Sequence, residues 1–237
     1  MKNLMQAKNI SLGYQGKTVA SGISFTVEEE DFLCIVGHNG AGKSTLLRTI
    51  LKLQPLLSGS IEYNPEFKTK IGYLPQQTEA QKDFPASVRE IILSGFCTEK
   101  KLLPFYTKAQ KMAAHEKCIL MGMEDYEAKC FRELSGGQKQ RVLLARALCA
   151  VEGASQIPQN VRPVLILDEP TASLDPEASE LFNSLLLSLN RDRHITVMEI
   201  SHDMESTLSM AKHILHVSEE SFFGTAEEYR KSVLCRI

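Results

Sequence analysis

No apolar run in this 237-residue chain approaches the ~20 residues of a membrane span, so none of it is expected to cross a bilayer unaided. The opening residues Met1, Lys2, Asn3, Leu4, Met5 and Gln6 lack the apolar segment of a secretory signal. The six cysteines include no Cys-x-x-Cys pair. Cys34 and Cys149 fall in apolar stretches and read as reduced, buried residues of a cytosolic protein. Charge of one sign is also missing. Twenty-seven basic residues face 29 acidic ones, the net charge is −2, and no basic stripe marks a nucleic-acid surface. There is no internal repeat, no low-complexity segment and no long heptad insert. What is present is 43% hydrophobic, enough for one domain, with or without a subdomain inserted in it. Any membrane role has to come through a partner.

The first positive signal is Gly37-His38-Asn39-Gly40-Ala41-Gly42-Lys43-Ser44, a complete G-x-x-x-x-G-K-[ST]. Its context fits. Residues 32–36 (Phe-Leu-Cys-Ile-Val) form a short apolar run of the kind that makes a buried parallel strand. After the loop, Leu46, Leu47, Ile50, Leu51 and Leu53 recur at helical spacing, with Pro55 expected to end the helix. Glycines let the loop curl so that its N–H groups face an anion, and the helix dipole adds positive potential there. Lys43 supplies a full charge to the β- and γ-phosphates, and the Ser44 hydroxyl is a magnesium ligand.

A second apolar run, Val164 to Leu167, ends in Asp168 and Glu169. Two carboxylates at the carboxyl end of a strand face the crevice where α/β sheets bind ligands. Asp168 is expected to hold Mg²⁺, and Glu169 to orient or deprotonate an attacking water. Downstream of the loop, residues 134–138 read Leu-Ser-Gly-Gly-Gln. Ser135 and Gln138 make a capping box before an apolar-striped helix carrying Val142, Ala145 and Leu148. Such a start binds anions, and two consecutive glycines are a poor choice for a helix that needs only a cap. One nucleotide does not need both helix starts, so a site composed from two chains is the natural reading. Asp175-Pro176 is an N-cap with proline at the first helical position, followed by an expected core stripe of Ala178, Leu181, Phe182, Leu185 and Leu189.

Together these residues resemble the ATPase subunits of ABC transporters over essentially the whole chain. On that resemblance residues 37–44 are the Walker A loop, 164–169 Walker B and 134–138 the signature motif. Residues 73–76 are the Q-loop, 173–175 the D-loop and 201–203, after the strand at 195–200, the H-switch. Tyr14 stands where an aromatic stacks on adenine, although a lone tyrosine before a strand is usually a packing residue. The implied fold is α/β: a P-loop NTPase core, mostly parallel sheet with an antiparallel β subdomain, and a helical subdomain inserted at about residues 83–150 of a single ABC ATP-binding domain spanning 1–237. ATP and Mg²⁺ are implied. ATP contacts fall on Tyr14, Gly37, His38, Asn39, Gly40, Ala41, Gly42, Lys43, Ser44 and Thr45 of one chain. The opposite chain contributes Ser135, Gly136, Gly137, Gln138 and Asp175, the last as intersubunit contact, as cap, or as both. Magnesium falls to Ser44, Gln76 and Asp168, and catalysis to Glu169, His202 and Gln76. The implied partners are a second copy on ATP binding, transmembrane permease subunits and an extracytoplasmic solute-binding protein. The implied location is cytoplasmic, on the inner face of the cell membrane.

Residues 83–95, 102–110 and 141–147 are similar to the zinc and manganese importer ATPases, and siderophore and cobalamin importers share part of that pattern. The implied function is therefore ATP hydrolysis that energises metal-ion import. An exporter subunit, or a soluble iron–sulfur assembly ATPase, is the alternative; the latter typically has Glu where this chain has Gln138. The histidines form no convincing ligand set, and His213 and His216 read as strand residues. Along the chain, strands are expected at 58–63 and 71–74, helices at 88–94 and from a capping box at 107–110 to Gly122, and a closing hairpin near 213–223. Three features break the pattern. Residues 151–163 are longer than the family usually has and read as a polar surface loop. Residues 28–31 (Glu-Glu-Glu-Asp) read as a solvated turn. Glu199 sits in an apolar strand, where burial would demand a partner or a raised pKa and a strand end would let it reach water.

Overall fold

Local signals set most elements of this computed structural model, which describes residues 2–14, 17–66, 68–76, 84–98, 105–154 and 160–232. Asp83, Leu102, Leu103, Pro104 and residues 155–159 of the expected polar loop lie outside the described residues. Two sheets organise the chain. β1 (Asn3–Tyr14) pairs antiparallel with β2 (Lys17–Glu28) on one side and with β4 (Ser58–Tyr63) on the other. The larger sheet takes β5 (Lys68–Leu74), β6 (Val161–Asp168), β7 (Thr196–Ile200), β3 (Phe32–Val36), β8 (His213–His216) and β9 (Phe222–Thr225) in that order. Its first five strands run parallel, and β9 closes the edge antiparallel to β8.

β3 and β7 are buried along their whole length, as strands covered on both faces must be. Alternation sends Leu33, Ile35, Val164, Ile166 and Met198 to one face, where α1 (Lys43–Ile50) and the inner side of the small sheet share a core. Phe32, Cys34, Leu165, Leu167 and Val197 point the other way. They meet a helical layer of α2 (Val88–Leu93), α3 (Lys108–Leu120), α4 (Gly136–Glu152) and α5 (Pro176–Arg193). α6 (Met204–Met210) and α7 (Ala226–Ser232) finish the fold around a small cluster of Val36, Ile214 and Tyr229. The architecture is the expected mixed α/β sheet with an antiparallel companion. No helix among the described residues is long and apolar enough to cross a membrane.

The helix starts follow from their caps. Reciprocal capping boxes at Ser87–Glu90, Thr107–Gln110 and Ser135–Gln138 open α2, α3 and α4, and Asp175 with Pro176 opens α5. Some expectations change. α1 stops at Ile50, well before Pro55. Lys52 turns the chain at φ 58°, which leaves Leu53 outside the helix and 69% exposed. On α5 the buried stripe is Phe182, Leu186 and Leu189, while Leu181 faces outward. Strand β6 begins at Val161, so the last residues of the expected loop are sheet. β7 begins at Thr196, one residue after the expected Ile195.

The acidic turn is not simply solvated. Asp31 is fully buried and accepts from His213 Nδ1 at 2.9 Å, Glu29 pairs with Arg162 at 2.8 Å and Glu28 with Lys212 at 2.9 Å. The turn enters the central strand and so meets the bases of β6 and β8. Burial pushes the Asp31 carboxyl up, against the opposing pull of the His213 hydrogen bond.

Candidate functional site

Parallel strands place their carboxyl ends on one rim of the sheet, and the expected residues gather there. Residues 37–42 link β3 to α1. Gly37 has φ 146°, and a Cβ on it would meet the Val217 carbonyl oxygen at 2.4 Å, so only glycine lets the loop pass the end of β8. Gly42 is the N-cap of α1 at φ 97° and supplies no side-chain acceptor, which leaves the first N–H groups of the helix to an outside anion. His38, Asn39 and Gly40 are exposed at the loop's crest, Ala41 is buried, and Thr45 is half-buried on α1. His38 Nδ1 lies 2.8 Å from the Asn39 carbonyl oxygen.

Lys43 is 5% exposed, and its Nζ donates to the carbonyls of Gly37 at 2.8 Å and His38 at 3.1 Å. The ammonium is thus folded over its own loop. Burial lowers its pKa, with the charges of Glu169 and Asp168 working against that shift. One residue on, Ser44 Oγ donates to Asp168 Oδ1 at 3.3 Å. Asp168 is the buried last residue of β6. Desolvation and the neighbouring Glu169 raise its pKa, while Ser44, Arg48 and Lys43 pull it down. Arg48, one turn beyond Ser44 on α1, was not among the expected site residues. Its spacing from Ser44 was the available signal, since residues four apart share a helix face.

Glu169 turns the chain at φ 49°, an unusual conformation for a side-chain-bearing residue. The turn lifts its carboxylate clear of the strand. Glu169 Oε2 accepts from Gln76 Nε2 at 3.0 Å, and Glu169 Oε1 lies 2.6 Å from His202 Nε2. Gln76 arrives from the end of β5 and His202 from the end of β7, so three residues far apart in sequence converge on one carboxylate. The pair of Glu169 and His202 opens onto a cavity of about 810 Å³ between α5 and α6. Chemically, the rim offers an anion cradle, a buried cation, a hydroxyl beside a carboxylate, and a second carboxylate held at both oxygens.

The other expected residues sit apart from this group. Ser135 N donates to Gln138 Oε1 at 3.0 Å and Gln138 N to Ser135 Oγ at 3.3 Å. A Cβ on Gly137 would come within 3.0 Å of Ala178, and one on Gly136 within 3.5 Å of Leu174. The two glycines therefore let α4 begin tight against the start of α5. Asp175 accepts from Ala178 N at 2.9 Å, which establishes its cap role. No hydrogen bond among the described residues links 135–138 to 37–45. Tyr14 ends β1 with 60% of its surface exposed, so it is not a core packing residue. His213 and His216 are strand residues of β8, as expected. Among the described residues, no group of three or more His, Cys, Asp and Glu side chains could hold a metal.

A family described as ABC transporter matches residues 20–172, more than half of the chain. The zinc uptake system ATP-binding protein ZurA of Listeria innocua is 35% identical, over 97% of this chain and 89% of its own length. The manganese transport system ATP-binding protein MntB of Bacillus subtilis is 37% identical, over 85% of this chain and 78% of its own. Among solved structures, an inward-facing transporter assigned provisionally to the metal-chelate ABC type superposes with a TM-score of 0.82 at 27% identity, covering 96% of this chain and 85% of that one.

Proposed function

The chain belongs to the ABC transporter family as an ATP-hydrolysing subunit, and from that premise we propose that it energises import of a metal ion of the zinc or manganese type through separate permease subunits. The observation that carries the site assignment is the convergence of Gln76 and His202 on Glu169, beside the Lys43–Ser44–Asp168 group. The cargo rests on the relatives' named substrates. In this reading the cargo passes through the permease and not through this chain.

In this reading the loop at 37–45 cradles the triphosphate and Lys43 exchanges its bonds to Gly37 and His38 for phosphate oxygens. Tyr14 offers an exposed ring to the base. Ser44 and Asp168 fit a Mg²⁺ ion, because a hydroxyl and a buried carboxylate at 3.3 Å make an oxygen-only donor set suited to a hard cation, and Gln76 would complete it. Bound there with ATP, the ion would neutralise phosphate charge. Glu169 accepts the proton of the attacking water, and His202 holds that carboxylate in place. Ser135, Gly136, Gly137 and Gln138 present the start of α4 to the triphosphate on a second copy, with Asp175 at the same seam. The site within one chain lacks that cap, so hydrolysis waits for the dimer, which positions reactants already bound. Closing and opening of the dimer then moves the permease, with the single domain and its helical portion at about 83–150 as the lever. A solute-binding protein delivers the cargo on the outer side, and this chain works on the cytoplasmic face.

The test is reconstitution with permease subunits of the zinc or manganese importer type, in vesicles loaded with MgATP. Uptake of zinc or manganese that requires ATP and is lost in Glu169→Gln is expected. Robust ATP-dependent uptake of a siderophore or cobalamin, with none of either metal ion, overturns the cargo assignment.

A further inference from the structure

Three helices end at one carboxylate. The segment at 151–163 begins as helix rather than as loop: α4 continues through the buried Val151 and stops on Glu152. Glu152 Oε2 pairs with Lys117 Nζ, from the last turn of α3. Its two oxygens also accept from Arg193 Nη1 at 2.9 and 3.1 Å, and Arg193 is the last residue of α5. The side chains of Lys117 and Glu152 are 9% and 11% exposed, so their pair is nearly dry, and Arg193 closes it from the solvent side. On local grounds a carboxylate is a poor choice for that position. The carboxyl ends of α3, α4 and α5 bring three negative dipole ends together, and Glu152 adds a full negative charge. Two cations from two other helices offset it. Replacing a buried ion cluster by apolar side chains of similar volume is often neutral or stabilising, so stability alone does not account for this one. What it supplies is direction, because both oxygens fix the end of α4 against two particular partners.

The opposite end of α4 is Ser135–Gln138, where the helix start lies tight against α5, with Gly137 facing Ala178. α4 and α5 therefore touch near their starts and are joined again at their last residues, a parallel pair fixed at two points. Lys117 brings α3 to the same cluster. We propose that Glu152 is a positioning residue for the composite site: by tying the end of α4 to Lys117 and Arg193, it sets the direction in which Ser135–Gln138 meets the triphosphate on a second copy. Seventeen residues make α4 about 25 Å long, so a tilt of about 5° about Glu152 carries its start about 2 Å sideways. That exceeds the ~1 Å misplacement by which a remote substitution can cost about a hundredfold in rate. The loop at 37–45 links β3 to α1, and none of the three charged residues is on either element. Nucleotide affinity of a single chain is thus outside the reach of the cluster.

The proposal rests on the reading of Ser135–Gln138 as the cap for a second copy's triphosphate, and its test separates the two. Glu152→Gln keeps the size of the side chain and removes its charge. In the full chain at saturating MgATP, its kcat is expected to fall at least about tenfold. Its ATP affinity, measured by calorimetry in the Ser135→Arg background so that single chains bind, is expected to stay at the value of Ser135→Arg alone. An unchanged kcat, or a loss of affinity that matches the fall in kcat, overturns the proposal. Arg193→Leu removes only the solvent-side arm and serves where Glu152→Gln does not fold. Its kcat is expected to fall about threefold, in keeping with a partly screened pair, and Arg193→Lys should restore it. No fall in Arg193→Leu overturns the proposal. Amide exchange along α4, read without nucleotide, needs neither hydrolysis nor a dimer. Both Glu152→Gln and Arg193→Leu are expected to exchange faster at 138–142 as well as at 148–152, and a change confined to 148–152 overturns the proposal. If hydrolysis survives Ser135→Arg, the composite-site reading fails, and exchange at 138–142 still decides whether Glu152 governs the start of α4.

Discussion

Glu199, 2% exposed on β7 between β3 and β6, makes a prediction about stability that needs no nucleotide. Its pKa moves from an ordinary 4.5 to about 8 on folding, because burial penalises the charged form. A raised folded pKa means that the native state binds more protons than the unfolded one between those values. Stability linked to this group is therefore complete below about pH 4.5 and is lost as pH rises through about 8. At about 1.36 kcal/mol per pH unit, that gap amounts to about 5 kcal/mol in all, of which about 3 kcal/mol falls between pH 5.5 and pH 9. The comparison is urea unfolding of wild type and Glu199→Gln at pH 5.5, 7, 8 and 9, reading the difference in unfolding free energy so that groups common to both proteins cancel. At pH 5.5 the variant should be no more stable than wild type. By pH 9 it should have gained about 2–3 kcal/mol relative to wild type. A difference that stays constant across the series would mean that Glu199 is not protonated in the native state, and the reasoning from its burial would fail.

Other substitutions test the nucleotide side. Lys43→Ala should weaken ATP binding by at least about tenfold, the value of one lost charge-assisted contact, and unchanged affinity by calorimetry would remove Lys43 from the cradle. Tyr14→Ala should leave stability within about 0.5 kcal/mol, because the ring is exposed, while ATP affinity falls about threefold to tenfold. A loss of stability without a loss of affinity would make Tyr14 a packing residue after all.

The sequence carried the parts of this account that depend on short stretches. The strand at 32–36, the glycine loop and the start of α1 form one continuous local pattern, and each cap at Thr107, Ser135 and Asp175 is closed by a residue three positions away. Where tertiary packing decides, the reading slipped. The leucines after Ile50 keep a helical rhythm, yet Lys52 breaks the helix and Leu53 faces water. Leu181 and Leu186 both fit a helix stripe, and only the position of the sheet beneath α5 selects Leu186 for burial. Four consecutive acidic residues look like solvent-facing turn, but Arg162 on β6, His213 on β8 and Lys212 just before β8 reach them from more than a hundred residues away. The meeting of Gln76, Glu169 and His202 could be inferred only from the family resemblance, since nothing local brings three strand ends together. Glu199 stands out in the sequence as a charge within an apolar strand, but its full burial with an unpartnered Oε2 depends on the strands and helices packed around it.

The central claim is that each ATP is held between two copies of the chain, one supplying residues 37–45 and the other Ser135–Gln138. The most direct measurement is the solution mass of the Glu169→Gln protein by sedimentation, with and without saturating MgATP. The account predicts a monomer without nucleotide, a dimer with it, and no dimer when Ser135→Arg is added. A Glu169→Gln protein that binds ATP fully and stays monomeric would contradict it.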